Sequence, residues 1–153
     1  MNPSLKEVKI LGIQARNFVW SLKDQIKMDD DFGCGCAVTS YVLKHLINKQ
    51  HPTAKINFAI GEYEKNCHCW LIYRNKIIDP TATQFGLYPK VRIVHQNDED
   101  YFKYQINWLN DQAFAELAHW DEQSPFSYQS QITRFLNKHK NKTTDYRNNQ
   151  LSA

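Results

Sequence analysis

Apolar positions recur at helical steps from the start of the chain: Val8, Leu11, Ala15, Phe18, Val19, Leu22 and Ile26 fall three or four residues apart and make one stripe. Ser4 followed by Glu7 has the spacing of a capping box, so a core-facing helix is predicted from Ser4 to Ile26. Lys27 to Gly35 breaks the pattern with a polar, acidic turn that holds two glycines. Helical spacing resumes in Val38, Val42, Leu43, Leu46 and Ile47 and runs to Lys49, which puts Cys36 at the start of a second helix. Four short runs follow, Ile56–Ile60, Cys67–Tyr73, Lys76–Asp79 and Val91–His95. They are rich in β-branched and aromatic residues and bounded by Gly, Asn or Pro, the pattern of strands in an antiparallel sheet. After a second acidic stretch, Asn97–Asp100, helical steps return in Tyr101–Leu109, Gln112–Trp120 and Gln129–Lys138, and from Lys140 the chain is polar enough to fray. Without an internal repeat or a linker, its 153 residues predict one domain over residues 1–139 and a polar tail over 140–153.

Composition narrows the partners. Nineteen basic and 16 acidic residues give a formal net charge of +3, and the basic residues are scattered, so no nucleic-acid partner is expected. No charged n-region followed by an apolar h-region opens the sequence, and no apolar run approaches the roughly 18 residues of a membrane span, so a cytoplasmic protein without a membrane partner is expected. In a reducing compartment its cysteines are thiols or metal ligands rather than disulfides.

All four cysteines lie in two C-x-C pairs, Cys34/Cys36 and Cys67/Cys69, and the second pair flanks His68. Two chemistries compete for that pattern. Four thiolates satisfy a closed zinc site, but structural zinc pairs usually leave two to four residues between their sulfurs, not one. A thiol at a helix start, by contrast, is ionised more readily, because the positive end of the helix dipole and a nearby imidazolium both stabilise the thiolate. Cys36 meets the first condition, and Cys34, which precedes the helix, is the rival nucleophile. Hairpin parity supplies the imidazole. With a two-residue turn at 74–75 Asp79 faces Trp70, and with the turn at 75–76 it faces Ile72. In either register it shares a face with His68, while Cys67 and Cys69 point the other way. A carboxylate so placed orients the ring and stabilises its charged form. The Asp29–Asp31 run is assigned no chemistry.

Cys36-Ala-Val-Thr-Ser40 leading into a helix, then Gly61, then His68-Cys-Trp70, then Ile77-Ile-Asp79-Pro-Thr-Ala-Thr-Gln84-Phe85 resembles the transglutaminase-like cysteine protein family of the papain-like group. The resemblance covers about residues 30–86. It implies an α+β fold, with a papain-like core in which the nucleophile helix packs on an antiparallel sheet, and it leaves extra helices at both ends. It also implies a triad of Cys36, His68 and Asp79 and a protein or peptide substrate attacked at an amide through a Cys36 thioester; no cofactor is expected, and strand parity with the one-residue spacing of the cysteine pairs predicts no metal. Peptidases, glutamine deamidases and transglutaminases all occur in such a family, as do members without activity. Trp20, Trp70 and Gln84 are the residues expected to border the substrate. One oxyanion donor is the Cys36 backbone N–H. The second is expected upstream, from Gln14, Trp20 or Gln25, since papain-like enzymes commonly use a glutamine there and transglutaminases a tryptophan. Two other readings remain beside the enzyme: a structural zinc domain built on the C-x-C pairs, and an inactive module that keeps the fold to bind proteins.

Overall fold

The computed structural model describes residues 1–26, 28, 32–33 and 35–123. The expected helix at Gln129–Lys138, the tail from residue 140, the acidic run 29–31 and Cys34 lie outside the described residues.

The first stripe folds as predicted at its start and breaks near its end. Helix α1 (Leu5–Ser21) is capped by Ser4, whose hydroxyl accepts the Glu7 N–H at 3.1 Å. At Leu22 the backbone leaves helical angles, with φ −109° and ψ 10°, and a single further turn, α2 (Lys23–Ile26), follows. Leu22 is itself buried, so the stripe continues through the break as packing rather than as helix. Helix α3 (Cys36–Gln50) begins on Gly35, where a Cβ would lie 2.2 Å from Met28 Sδ.

Strands β1 (Asn57–Tyr63), β2 (Asn66–Tyr73), β3 (Lys76–Asp79), β4 (Arg92–Val94) and β5 (Tyr104–Leu109) form one antiparallel sheet in the order β4-β3-β2-β1-β5. Leu71 pairs with Ile78 and Tyr73 with Lys76, which is the register of the two-residue turn at 74–75. Both turn residues, Arg74 and Asn75, have positive φ (51° and 61°), the twist a two-residue hairpin needs.

One expectation is overturned. Tyr101–Leu109, predicted helical, is a 3-10 turn at Glu99–Lys103 followed by the edge strand β5. Tyr101, Tyr104 and Trp108 satisfy a helical step, but Tyr104, Ile106 and Trp108 satisfy an alternating one, and pairing along β1 decides for the strand. The helix expected at Gln112–Trp120 lies within α4 (Asn110–Gln123).

Both faces of the sheet are covered. Phe58, Ile60, Cys69, Leu71 and Ile78 join residues of α1, α3 and α4 in one core. Ala59, Tyr63, Trp70, Ile77, Val94 and Tyr104 form a second, smaller core, against which Phe85 and Leu87 fold. Helices over one face of an antiparallel sheet make this an α+β protein. Among the described residues no helix is long and apolar enough to cross a membrane.

Candidate functional site

The second face of the sheet carries a buried polar cluster. His68 and Asp79, on neighbouring strands, are both fully buried, and His68 Nε2 lies 2.8 Å from Asp79 Oδ2. The same carboxylate oxygen accepts from the Tyr104 hydroxyl at 2.7 Å, while Oδ1 accepts the Thr81 backbone N–H at 3.1 Å. Tyr104 in turn accepts from Arg92 Nη1 at 3.2 Å, and Arg92 pairs with Asp100. Rings wall the imidazole: Phe85 meets it edge-on at 4.9 Å between centroids, and Trp70 lies at 5.8 Å. Gln84 places its amide 3.1 Å from Nδ1, the ring nitrogen that Asp79 leaves free.

Cys36 completes the cluster from the N-terminus of α3. Its half-buried thiol contacts Cys69 and the His68 imidazole. The hydrogen bond from Cys69 pulls the Cys36 pKa well below its ordinary value, burial pushes back, and the bond and charge of His68 lower it further. For His68, burial alone disfavours the charged ring, but Asp79 and then Cys36 outweigh it and push the pKa up to about 10. Cys69 is raised well above the ordinary thiol value, chiefly because it donates to Cys36, and Cys67 is raised by burial and by Cys36. These directions favour a negative charge on Cys36 over Cys67 and Cys69, and the charged form of the ring beside it.

Cys36, His68 and Asp79 come together, with Trp70 and Gln84 against the ring, whereas Trp20 lies on α1 beside Phe32, at 5.4 Å between ring centroids. Gln14 is buried, and its amide meets no partner among the described residues, while the side chain of Gln25 lies outside them. Cys69 packs in the helix-side core and Cys67 is exposed, on the face opposite His68, and among the described residues no three His, Cys, Asp or Glu side chains gather as metal ligands.

Two participants escaped the sequence. Tyr104 falls in a stretch whose spacing predicts a helix, and its reach to Asp79 depends on β5 lying beside β1. Arg16 sits in the stripe of α1 next to Ala15, and from there its Nη1 donates to the Pro80 carbonyl at 2.7 Å, fastening the loop that follows Asp79. Gly12, one turn earlier, was the available signal: a Cβ there would come within 2.6 Å of Val91, so this flank of α1 presses on the loop side of the sheet.

Fold and site together define an α+β protein with a thiol, an imidazole and a carboxylate in series at the junction of a helix N-terminus and an antiparallel sheet. Comparison with known proteins finds no matching family model, no matching curated protein and no matching solved structure.

Proposed function

We propose that the chain is a transglutaminase-like cysteine enzyme of the papain-like group, acting in the cytoplasm on an amide of a protein or peptide. The observation that carries the reading is the pairing of a lowered Cys36 thiol with a His68 imidazole that Asp79 holds in its charged form. Cys36 thiolate attacks the amide carbonyl carbon, and the C–N bond breaks as the Nδ1 proton of His68 passes to the leaving nitrogen. The thioester left on Cys36 is then attacked by water or an amine, whose proton His68 takes before the thiolate departs. Asp79 holds the Nε2 side of the ring, which leaves Nδ1, beside the Gln84 amide, as the nitrogen that exchanges protons with thiol and substrate. The N–H of Cys36, at the first turn of α3, has no helical acceptor and serves the oxyanion.

Iodoacetamide tests this without a known substrate. At about pH 6 an ordinary thiol of pKa near 8.5 is under roughly 1% ionised, so Cys36 should be alkylated fast and selectively, and His68→Ala should slow that labelling strongly. Slow labelling with no preference for Cys36 would give the chain to the inactive, protein-binding reading. Protection of all four cysteines until a chelator is added would give it to the zinc reading.

A further inference from the structure

A cavity of about 340 Å³ opens beside the site, lined by Arg16, Trp20, Phe32, Thr83, Tyr88 and Lys90 among others. Among the described residues that line it, two side chains are cationic and none is acidic. Its walls lead straight to the cluster. Thr83 precedes Gln84, whose amide touches His68, and the Phe32 carbonyl accepts the N–H of Gly35, the residue before Cys36.

Arg16 is the unusual member. Only 8% of it is exposed, yet all its hydrogen bonds leave from Nη1, to the Pro80 carbonyl at 2.7 Å, Thr83 Oγ1 at 3.2 Å and the Lys90 carbonyl at 3.4 Å. A guanidinium has five N–H donors, and among the described residues nothing accepts from Nε or Nη2. Phe32 covers its flat face, with the ring centroid 4.2 Å from the central carbon, so the donors remain open only along the edge. Burial costs the charged form, as its lowered pKa reflects, and the nearby Asp79 charge offsets this only in part. A buried cation with an open N–H edge and no carboxylate bonded to it among the described residues fits a carboxylate that accepts two parallel bonds.

We propose that this cavity is the recognition subsite for the acyl donor and takes an acidic peptide segment, with the carboxylate on Arg16 and Lys90 and a neighbouring apolar side chain against Trp20, Phe32 and Tyr88. The volume agrees with one or two side chains, being near the lower end of the roughly 300–1,000 Å³ of small-ligand pockets. The proposal names the substrate class of the thiol enzyme argued above and rests on that reading, but the binding itself needs no chemistry.

Calorimetric titration of the full chain carrying Cys36→Ser separates the two. The probes are two N-acetylated, C-amidated hexapeptides that differ only in carrying Phe-Glu or Phe-Gln at their centre. The Glu peptide should bind about ten-fold tighter or more at low salt, and the ratio should shrink toward one near 1 M salt, where the screening length is only about 3 Å. Lys90→Glu, at the exposed rim, should abolish the preference with an unchanged circular dichroism spectrum. Equal affinities, no binding of either peptide at millimolar concentration, or a preference indifferent to Lys90→Glu would overturn the proposal. So would a preference that emerges only when Asp29, Asp30 and Asp31 are replaced by Asn, which would give the carboxylate to the chain's own acidic run. A clear preference alongside slow, unselective alkylation of Cys36 would keep the subsite and remove the enzyme.

Discussion

At the scale of single residues the site turns on Asp79. A carboxylate taken out of water costs several kcal/mol unless its oxygens are bonded, and Asp79 meets that cost with three donors: the His68 ring, the Tyr104 hydroxyl and the Thr81 N–H. Tyr104 shares Oδ2 with His68, so it draws on the same negative charge that holds the ring protonated. Burial and the Asp79 charge raise its own pKa, and it remains a neutral donor at any working pH. Tyr104→Phe keeps the ring that packs on Trp70 at 5.1 Å and removes only the hydroxyl. The variant should lose about 1–3 kcal/mol of stability, the scale of a hydrogen bond to a charged group. With the carboxylate less shared, His68 should hold its proton to a pH above the present value of about 10. Ring-carbon NMR of His68 across the alkaline range reads that shift, and an unmoved midpoint would reduce Tyr104 to a packing residue.

At the scale of elements, strand β5 is the piece that completes the cluster, and a glycine admits it. The pairing between β1 and β5 shifts at Ile60/Gly61, where Asn107 is the extra residue on the β5 side. The shift turns the alternation over, so that Tyr104 joins the aromatic core on one face while Trp108 packs into the helix-side core on the other. A Cβ at Gly61 would lie 1.9 Å from the Gln105 carbonyl oxygen and 2.8 Å from the Trp70 ring. The obstacle at Gln105 is backbone and has no rotamer to change. Gly61→Ala should therefore push β5 outward, lowering stability by about 1–3 kcal/mol in urea unfolding, the usual cost of overpacking. It should also move the His68 NMR midpoint in the same direction as Tyr104→Phe, since the hydroxyl is withdrawn from Asp79. A stable variant with an unchanged midpoint would show that β5 tolerates the side chain and does not depend on the close approach.

At the scale of the whole molecule, the ion pair leaves a signature in stability against pH. Take the ordinary values of 6.5 for His68 and 9.0 for Cys36 as those of the unfolded chain. Between them the unfolded chain holds its proton on the thiol and the folded chain holds it on the ring, so both bind one and the pair adds no slope. Cys36→Ser removes the thiol but leaves Asp79 to hold the ring charged. The folded state then binds one proton more than the unfolded state above pH 6.5, and stability must fall as pH rises toward the folded pKa of His68. Subtracting wild-type from variant unfolding free energies at several pH values cancels the other groups. The difference should slope downward by up to about 1.4 kcal/mol per pH unit, the one-proton limit. A flat difference would mean that the folded protein has no thiolate–imidazolium pair at neutral pH.

What the sequence determined by itself was local. Ser4 and the stripe behind it set the start of α1, the spacing from Val38 put Cys36 at the head of α3, and strand parity put His68 and Asp79 on one face, because each depends only on residues a few positions apart. The strand at Tyr104–Leu109 was illegible because six residues satisfy either period, and the choice falls to a partner strand more than forty residues away. Tertiary structure alone decided which groups join Asp79. Tyr104 and Arg16 reach it or its loop from 25 residues ahead along the chain and 64 residues behind Pro80, through a bulge at one edge of the sheet and a glycine-faced helix at the other side. Such contacts carry no spacing rule. They exist because the chain must find donors for a buried carboxylate and for the loop that holds it, and packing, not sequence distance, determines which side chains arrive.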